Sequence, residues 1–470
     1  MKKWTGADAA DLRTALDLSH HRFAVRADIH INTIKKWCNR GTTITLLPEH
    51  AEKMNQLLAA ATRPQRAEFH KLQTQRAVAP GTLEVDPDPA IWTSPCEDVA
   101  DDLARKDLTL DRRDAATTIF GVVVGTYLLE PLERWLWKSR NTPTPVPVIT
   151  GAGAQELDDL EGAARLFREW DDKFGGGLRR KAVVGQLSEV NDLIAAESNP
   201  AVRQRLGRIR ALLAETAATM SWDSGEQHTA QGYYMLSIRS AREAGDPGLF
   251  ANGLANLARQ MLTLEPAGDG IDRIGYQHAR ASDALELVRL AQDIVGRSIT
   301  PTMRALLHTR EAWAYAKLGR PSAFHRAADN AYRAFGDARP DNDPYWIQYF
   351  DAAELSGTLG GRLLELARKE NEFADEAAEA ITSAIALRKP ERWRSSALDR
   401  LGIAEARLIQ GEYSEARRLG ELAIIDVGKT TSHRVQAKVT EVYQRTAECP
   451  TSRPVTELRD MLHPLMLSPA

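Results

Sequence analysis

The sequence predicts an all-α chain, and three observations carry that prediction. Beyond residue 155 one amphipathic stretch follows another, punctuated by Gly, Pro or Asp-Pro, with hardly any strand-like alternation. Three segments, Ala217–Gly245, Ala312–Gly336 and Ala404–Ala423, repeat one degenerate plan: small residues, a Gly-containing turn, then Ala every few positions. The stretch Leu18–Gly41, LSHHRFAVRADIHINTIKKWCNRG, has the pattern of two short helices joined by a tight turn. At 470 residues the chain exceeds the size at which a single core keeps growing, so at least two domains or a repeat array are expected.

Taken in order, DAADLRTALD over residues 8–17 puts Leu12, Ala15 and Leu16 on one face and forms a first helix. Ser19 suits the N-cap of the next, because its hydroxyl can accept an N–H of the opening turn, and Phe23 with Ala24 supplies a small apolar face. The turn falls at Ala27 and Asp28. Ile31, Ile34 and Trp37 then recur at three-residue spacing, which turns one face inward and leaves His30, Asn32, Thr33, Lys35 and Lys36 on the others. After Gly41, TTITLL is β-branched and extended, and Pro48 suits the first turn of a helix carrying Ala51, Met54, Leu57 and Leu58. This module closes near residue 76.

Its charge sets it apart. Residues 1–76 hold 13 Lys and Arg against 7 Asp and Glu, a balance of +6, so a total of −3 leaves −9 on the rest of the chain. A polyanion is therefore attracted to this end and repelled by the body.

Residues 77–97 read as a linker: Ala77–Pro95 contains four prolines and no periodicity, with Trp92 as its one anchoring side chain. Residues 98–150 read as a helical connector and a strut, with Asp98–Trp137 helical and TPTPVPV over residues 142–148 polyproline-like. Within the connector, Asp111-Arg112-Arg113-Asp114 and the eleven-residue apolar run Ile119–Leu129 imitate an export signal. The run is only about half of the ~20 residues a bilayer needs, and a buried helix is the better reading. Gly151-Ala152-Gly153 lacks the Gly-Lys-Ser/Thr of a phosphate loop and reads as linker. Residues 151–450 form the helical repeat body and 451–470 a C-terminal tail.

Chemistry of the enzymatic kind is not visible. No nucleophile stands with a base, and the eleven histidines show no HxxxH or HxH spacing, so neither a catalytic centre nor a metal or other cofactor is expected. The acidic pairs Asp101-Asp102, Asp158-Asp159 and Asp171-Asp172 are adjacent residues, about 100° apart on a helix, and read as solvated faces. Three widely spaced cysteines, no N-terminal apolar segment and no membrane span fit a reduced cytoplasm.

Trp4-Thr5-Gly6, LSHHRFAV, INTIKKW and the Arg40-Gly41 exit together resemble the phage-repressor (Cro/C1-like) helix-turn-helix of actinobacterial regulators, over about the first 60 residues. That family commonly has a Gln opening the first helix of the pair, a small residue in the turn and a Ser capping the recognition helix. Those positions hold His20, Asp28 and His30 here. By the resemblance, His30, Asn32, Thr33 and Lys36 face base edges of double-stranded DNA, while His20, Lys35 and Arg40 lie near phosphates. The chemistry agrees, since cations displace counterions and Asn pairs bidentately with adenine.

The repeats are similar to tetratricopeptide repeats of about 34 residues. Pro344–Gly360 and Gly177–Leu193 also look like segments of regulators that join such a helix-turn-helix to a tetratricopeptide body. Stacked helical hairpins leave a groove suited to a peptide or small molecule. Asn252 and Asn256 share one helix face and can hold a peptide backbone, with Trp346, Tyr349 and Phe350 as lining. The resemblance implies a cytoplasmic, homodimeric, ligand-sensing transcription regulator. The competing expectation is an interaction scaffold whose helix-turn-helix no longer reads DNA.

Overall fold

The computed structural model describes residues 4–40, 44–66, 69, 90–109, 122–138, 152–174, 180–265, 272–430 and 432–467. Among them every element is helical, apart from one isolated antiparallel bridge between Thr5 and Thr45. No helix among the described residues is long and apolar enough to cross a membrane. The chain divides into two compact units, Met1–Leu83 with Glu265–Tyr276, and Glu84–Leu264 with Gln277–Ala470.

The first unit holds α1 (Gly6–Ala15), α2 (His20–Ala27), α3 (Ile31–Arg40) and α4 (Pro48–Ala60). A Thr5–Asp8 capping box opens α1: Thr5 Oγ1 accepts from the Asp8 N–H at 3.2 Å, and Asp8 Oδ2 accepts from the Thr5 N–H at 2.8 Å. Leu12, Ala15, Leu16, Phe23, Ala24, Ile34, Trp37, Met54 and Leu57 are all buried in one core. Gly6 is fixed by a close approach: a Cβ there would stand 2.1 Å from the Trp37 carbonyl oxygen, so α1 meets the backbone of α3 directly. Trp4 closes this corner, stacked on Phe69 at 5.5 Å and donating from Nε1 to Asn55 Oδ1 at 2.8 Å.

The second unit runs from α5 (Ala90–Thr93) through α6 (Cys96–Thr109), α7 (Thr126–Lys138), α8 (Ala152–Phe174), α9 (Arg180–Ala196), α10 (Pro200–Asp223), α11 (Gln227–Glu243) and α12 (Pro247–Thr263). It continues, after α13 (Arg273–Val295), with α14 (Pro301–Lys317), α15 (Pro321–Gly336), α16 (Ala352–Ala367), α17 (Phe373–Leu387), α18 (Trp393–Ile409), α19 (Tyr413–Val427), α20 (His433–Thr446) and α21 (Arg453–Leu467). Helices α10 and α11, α14 and α15, α16 and α17, and α18 and α19 pack as pairs, while α10, α12, α14, α16, α18 and α20 adjoin one another in a row. The turn glycines of the three sequence repeats sit where the paired helices reverse. Gly225, Gly319 and Gly411 have φ of 80°, 64° and 79°, a left-handed backbone that residues with a Cβ resist. One apolar core extends from Trp92 to Leu419, and a second joins α18 to α21.

Four sequence expectations need correction. The stretch Asp98–Trp137 is not one helix, because Val122–Gly125 are non-helical. Three β-branched residues in a row favour an extended backbone, and a side chain supplies the hydrogen bonds a strand partner would give. The Val123 N–H donates to Gln231 Oε1 at 2.8 Å, and Gln231 Nε2 donates back to the Val123 carbonyl at 2.7 Å. Residues 90–97 are not linker: α5 buries Trp92 5.4 Å from Trp135, and α6 starts at Cys96, while 77–89 lie outside the described residues. Gly153 belongs to the first turn of α8, although 142–151, with the proline-rich strut, lie outside the described residues. Residues 451–470 are no tail, because α21 places Leu458 and Leu462 at helical spacing into the second core, with Val455 also buried.

Candidate functional site

In the first unit, α2 and α3 are set at a fixed turn. Ser19 Oγ accepts from the Arg22 N–H at 3.3 Å and starts α2. Asp28 ends it in a left-handed conformation, φ 51° and ψ 52°, which Asp tolerates better than most residues with a Cβ. Lys53 of α4 secures this strained residue by donating from Nζ to the Asp28 carbonyl at 2.5 Å and to Oδ2 at 3.0 Å. His30 then caps α3, its Nδ1 accepting from the Asn32 N–H at 3.3 Å. A neutral imidazole that accepts at Nδ1 carries its proton at Nε2, so the outer edge of His30 is a donor.

The faces of α3 divide as the spacing requires. Ile34 and Trp37 are buried, at about 1.5–3 kcal/mol for each such side chain, and this anchors the helix. Asn32 and Lys36, four residues apart, are exposed together, and His30 is exposed beside them. Thr33 and Lys35 are half-buried, as is His20 at the first position of α2. Arg40 ends α3, and its side chain lies outside the described residues. The structure thus gathers His30, Asn32 and Lys36 on one exposed surface.

In the second unit, Asn252, Asn256 and Arg259 follow one another at four- and three-residue spacing on α12 and therefore share a face. Asn256 is buried and donates from Nδ2 to Glu215 Oε1 at 3.0 Å, and Arg168 pairs with the same oxygen at 3.1 Å. Asn252 is fully buried, and neither atom of its amide has a partner. Tyr349 is half-buried with the Arg168 guanidinium 5.5 Å from its ring. Burial raises its phenol, while Arg310, Arg168 and Arg259 pull it back, so Tyr349 stands among three arginines. Trp346 belongs to the wall instead: it is buried, and its ring lies 3.2 Å from where a Cβ on Gly248 would be. Asn256 and Tyr349 thus reach one cluster, Asn252 lies on the same helix face, and Trp346 serves as packing.

The arginines of this cluster, and Arg362 beside Arg310, were not singled out from the sequence. Arg259 on α12, Arg310 on α14 and Arg362 on α16 come from consecutive helices of the row. Arg259 lies 4.4 Å from the centre of the Trp222 ring and Arg362 lies 3.3 Å from that of Trp313. Among the described residues none of the three makes an ion pair. The available signal was their near-equal spacing, 51 and 52 residues, which places one cation on each of three consecutive helices of the row. The acidic pairs also need one correction. Asp171 is buried rather than solvated, and its charge lies beside Arg434, whereas Asp102 does face outward, paired with Arg105 and Lys106.

No protein-family model, no curated protein and no solved structure matches this chain.

Proposed function

We propose that the chain is a DNA-binding transcription regulator whose helical body senses a ligand, a peptide or small molecule. The observation that carries this reading is α3. It is anchored by Ile34 and Trp37, capped by His30, set by the left-handed Asp28, and its outer surface presents a donor ring edge, an amide and an ammonium at His30, Asn32 and Lys36. These are groups that read base edges and neutralise phosphates, and they belong to the net-positive stretch of residues 1–76. In this reading α2 and α3 form a helix-turn-helix with α3 in the major groove.

The paired helices and left-handed turn glycines of the second unit support a tetratricopeptide-like body. That body provides the homodimer contacts, since two recognition helices must reach half-sites about 34 Å apart. Ligand then acts by changing their spacing. Three free cysteines agree with action in the cytoplasm.

The test is genome-wide mapping of DNA contacts, followed by binding to the recovered sites over a range of salt concentrations. Discrete sites and a steep salt dependence are expected, and Lys35→Ala is expected to reduce the slope of log K against log salt by about 0.9. Sequence-blind, weak association with no discrete sites would instead establish an interaction scaffold.

A further inference from the structure

Arg310 is the most unusual group in the body. It is 5% exposed, its Nε is buried without a hydrogen-bond partner, and no carboxylate among the described residues pairs with it. A buried cation of this kind is normally matched by an anion, because removing the charge from water costs several kcal/mol that only a counter-charge restores. Its environment adds to the mismatch. Burial pushes the guanidinium down to about 9, and Arg259 and Arg362 push the same way against Tyr349 and Glu354. At neutral pH it still carries its charge.

The neighbours have the same character. Arg362 is pushed down to about 10, by burial first, and Arg259 and Arg362 also have a buried Nε without a partner. A cavity of about 150 Å³ opens beside Arg362 between α16 and α18. Its acids are already taken: Glu354 by Arg388, Glu365 by Lys317 and Arg368, and Glu441 by Lys438, while Asp399 accepts hydrogen bonds from Arg388. In the cluster around Tyr349, Glu215 is likewise held by Arg168. Three guanidiniums, on three adjoining helices, therefore have only carboxylates already paired elsewhere near them and make no ion pair of their own among the described residues.

We infer that Arg259, Arg310 and Arg362 form a binding site for an oxyanion, a carboxylate or phosphate carried by the ligand of the body. Guanidinium is the side chain suited to this, because its planar fork matches either anion with two parallel hydrogen bonds. The Trp222 and Trp313 rings hold the outer two guanidiniums against reorientation, so the site is organised before the anion arrives. The inference rests on the ligand-sensing reading and names the chemistry of that ligand.

The experiment is calorimetric titration of the full-length chain with pyrophosphate and, separately, with citrate, at constant ionic strength. Saturable binding of one is expected, and the one that binds identifies phosphate or carboxylate as the source. Arg310→Met is expected to weaken it at least tenfold, and Arg310→Lys, which keeps the charge but not the fork, several-fold. The thermal midpoint without anion supplies a readout that a merely structural arginine would not give: Arg310→Met is expected to match or exceed the wild type, because an unmatched buried cation is gone. Absence of saturation by either probe would overturn the inference. So would binding that is unchanged in both variants, which would place the anion on the basic residues of 1–76. DNA affinity measured with and without the bound probe separates the two claims. Binding through Arg310 that leaves DNA affinity unchanged retires the sensor and keeps the anion site, whereas a DNA response to cell extract without anion binding at Arg310 does the reverse.

Discussion

Replacing Glu405 by Gln is expected to cost the second unit about 3 kcal/mol at pH 7, by either of two lines of reasoning. Glu405 on α18 is fully buried, and both of its oxygens are taken. Arg368 donates from Nε to Oε1 at 2.7 Å and from Nη2 to Oε2 at 3.1 Å, and Lys438 of α20 pairs with Oε2. The first line is geometric: removing one partner of a buried ion pair strands the others, and such losses run at about 3–5 kcal/mol. Arg368 and Lys438 keep Glu441 as an alternative, which puts the cost at the lower end. The second is linkage. Burial alone would raise the Glu405 carboxyl, but Lys438 and then Arg368 outweigh it and hold the group at about 2, against an ordinary 4.5. A folded value below the unfolded one means stability that is complete above pH ~4.5 and lost as pH falls through ~2, about 3 kcal/mol in all. Urea denaturation of wild type and Glu405→Gln should therefore differ by about 3 kcal/mol at pH 7 and by less than half of that near pH 3. A gap that stays constant between pH 7 and pH 3 would refute the reasoning, because the loss would then come from packing and not from charge.

Three further outcomes follow from the packing and burial of Gly6, His30 and Asp399. Gly6→Ala should destabilise the first unit by about 3 kcal/mol, as its Cβ would meet the Trp37 carbonyl at 2.1 Å; an unaltered Trp4 and Trp37 fluorescence transition in urea would contradict the close approach. His30→Ala should cost about 1 kcal/mol through loss of the cap on α3, and His30→Asn should restore it, both measurable as hydrogen exchange at the start of that helix. Burial raises Asp399 to about 7, so the folded chain holds a proton that the unfolded chain releases. The stability this contributes is present below pH ~4 and lost as pH rises through ~7. Asp399→Asn should remove that slope from a plot of thermal midpoint against pH, and a slope identical to wild type would show that Asp399 is ionised throughout.

The sequence made local periodicity legible and long-range pairing illegible. Ile34 and Trp37, Leu12 and Leu16, and the turn glycines declared themselves because their positions depend on helical spacing and backbone sterics alone. The extended Val122–Gly125 segment did not. What makes it extended is Gln231, 108 residues further on, and its valines fit a buried helix equally well. Asn256 and Tyr349 were visible as polar and aromatic positions, yet what joins them is the Glu215–Arg168 pair, two charged residues unremarkable in the sequence until α8, α10 and α12 are seen to adjoin. Trp346 shows the opposite failure, since an aromatic at helical spacing gives no sign of whether it faces a groove or a wall. His30 was expected at the capping position and as a base-facing donor, and the structure shows how an imidazole does the first task, its Nδ1 accepting from the Asn32 N–H.

The Val122–Val124 run also bears on how this protein behaves when heated or concentrated. A short β-branched segment with open backbone groups is a template for intermolecular strand pairing. Gln231 occupies both the N–H and the carbonyl of Val123 inside the core, so the segment offers no free edge there. Weakening that amide fork exposes an adhesive stretch before the fold as a whole is lost. A chain carrying Gln231→Leu is expected to show this first as turbidity and light scattering below its unfolding midpoint, with solubility failing ahead of stability.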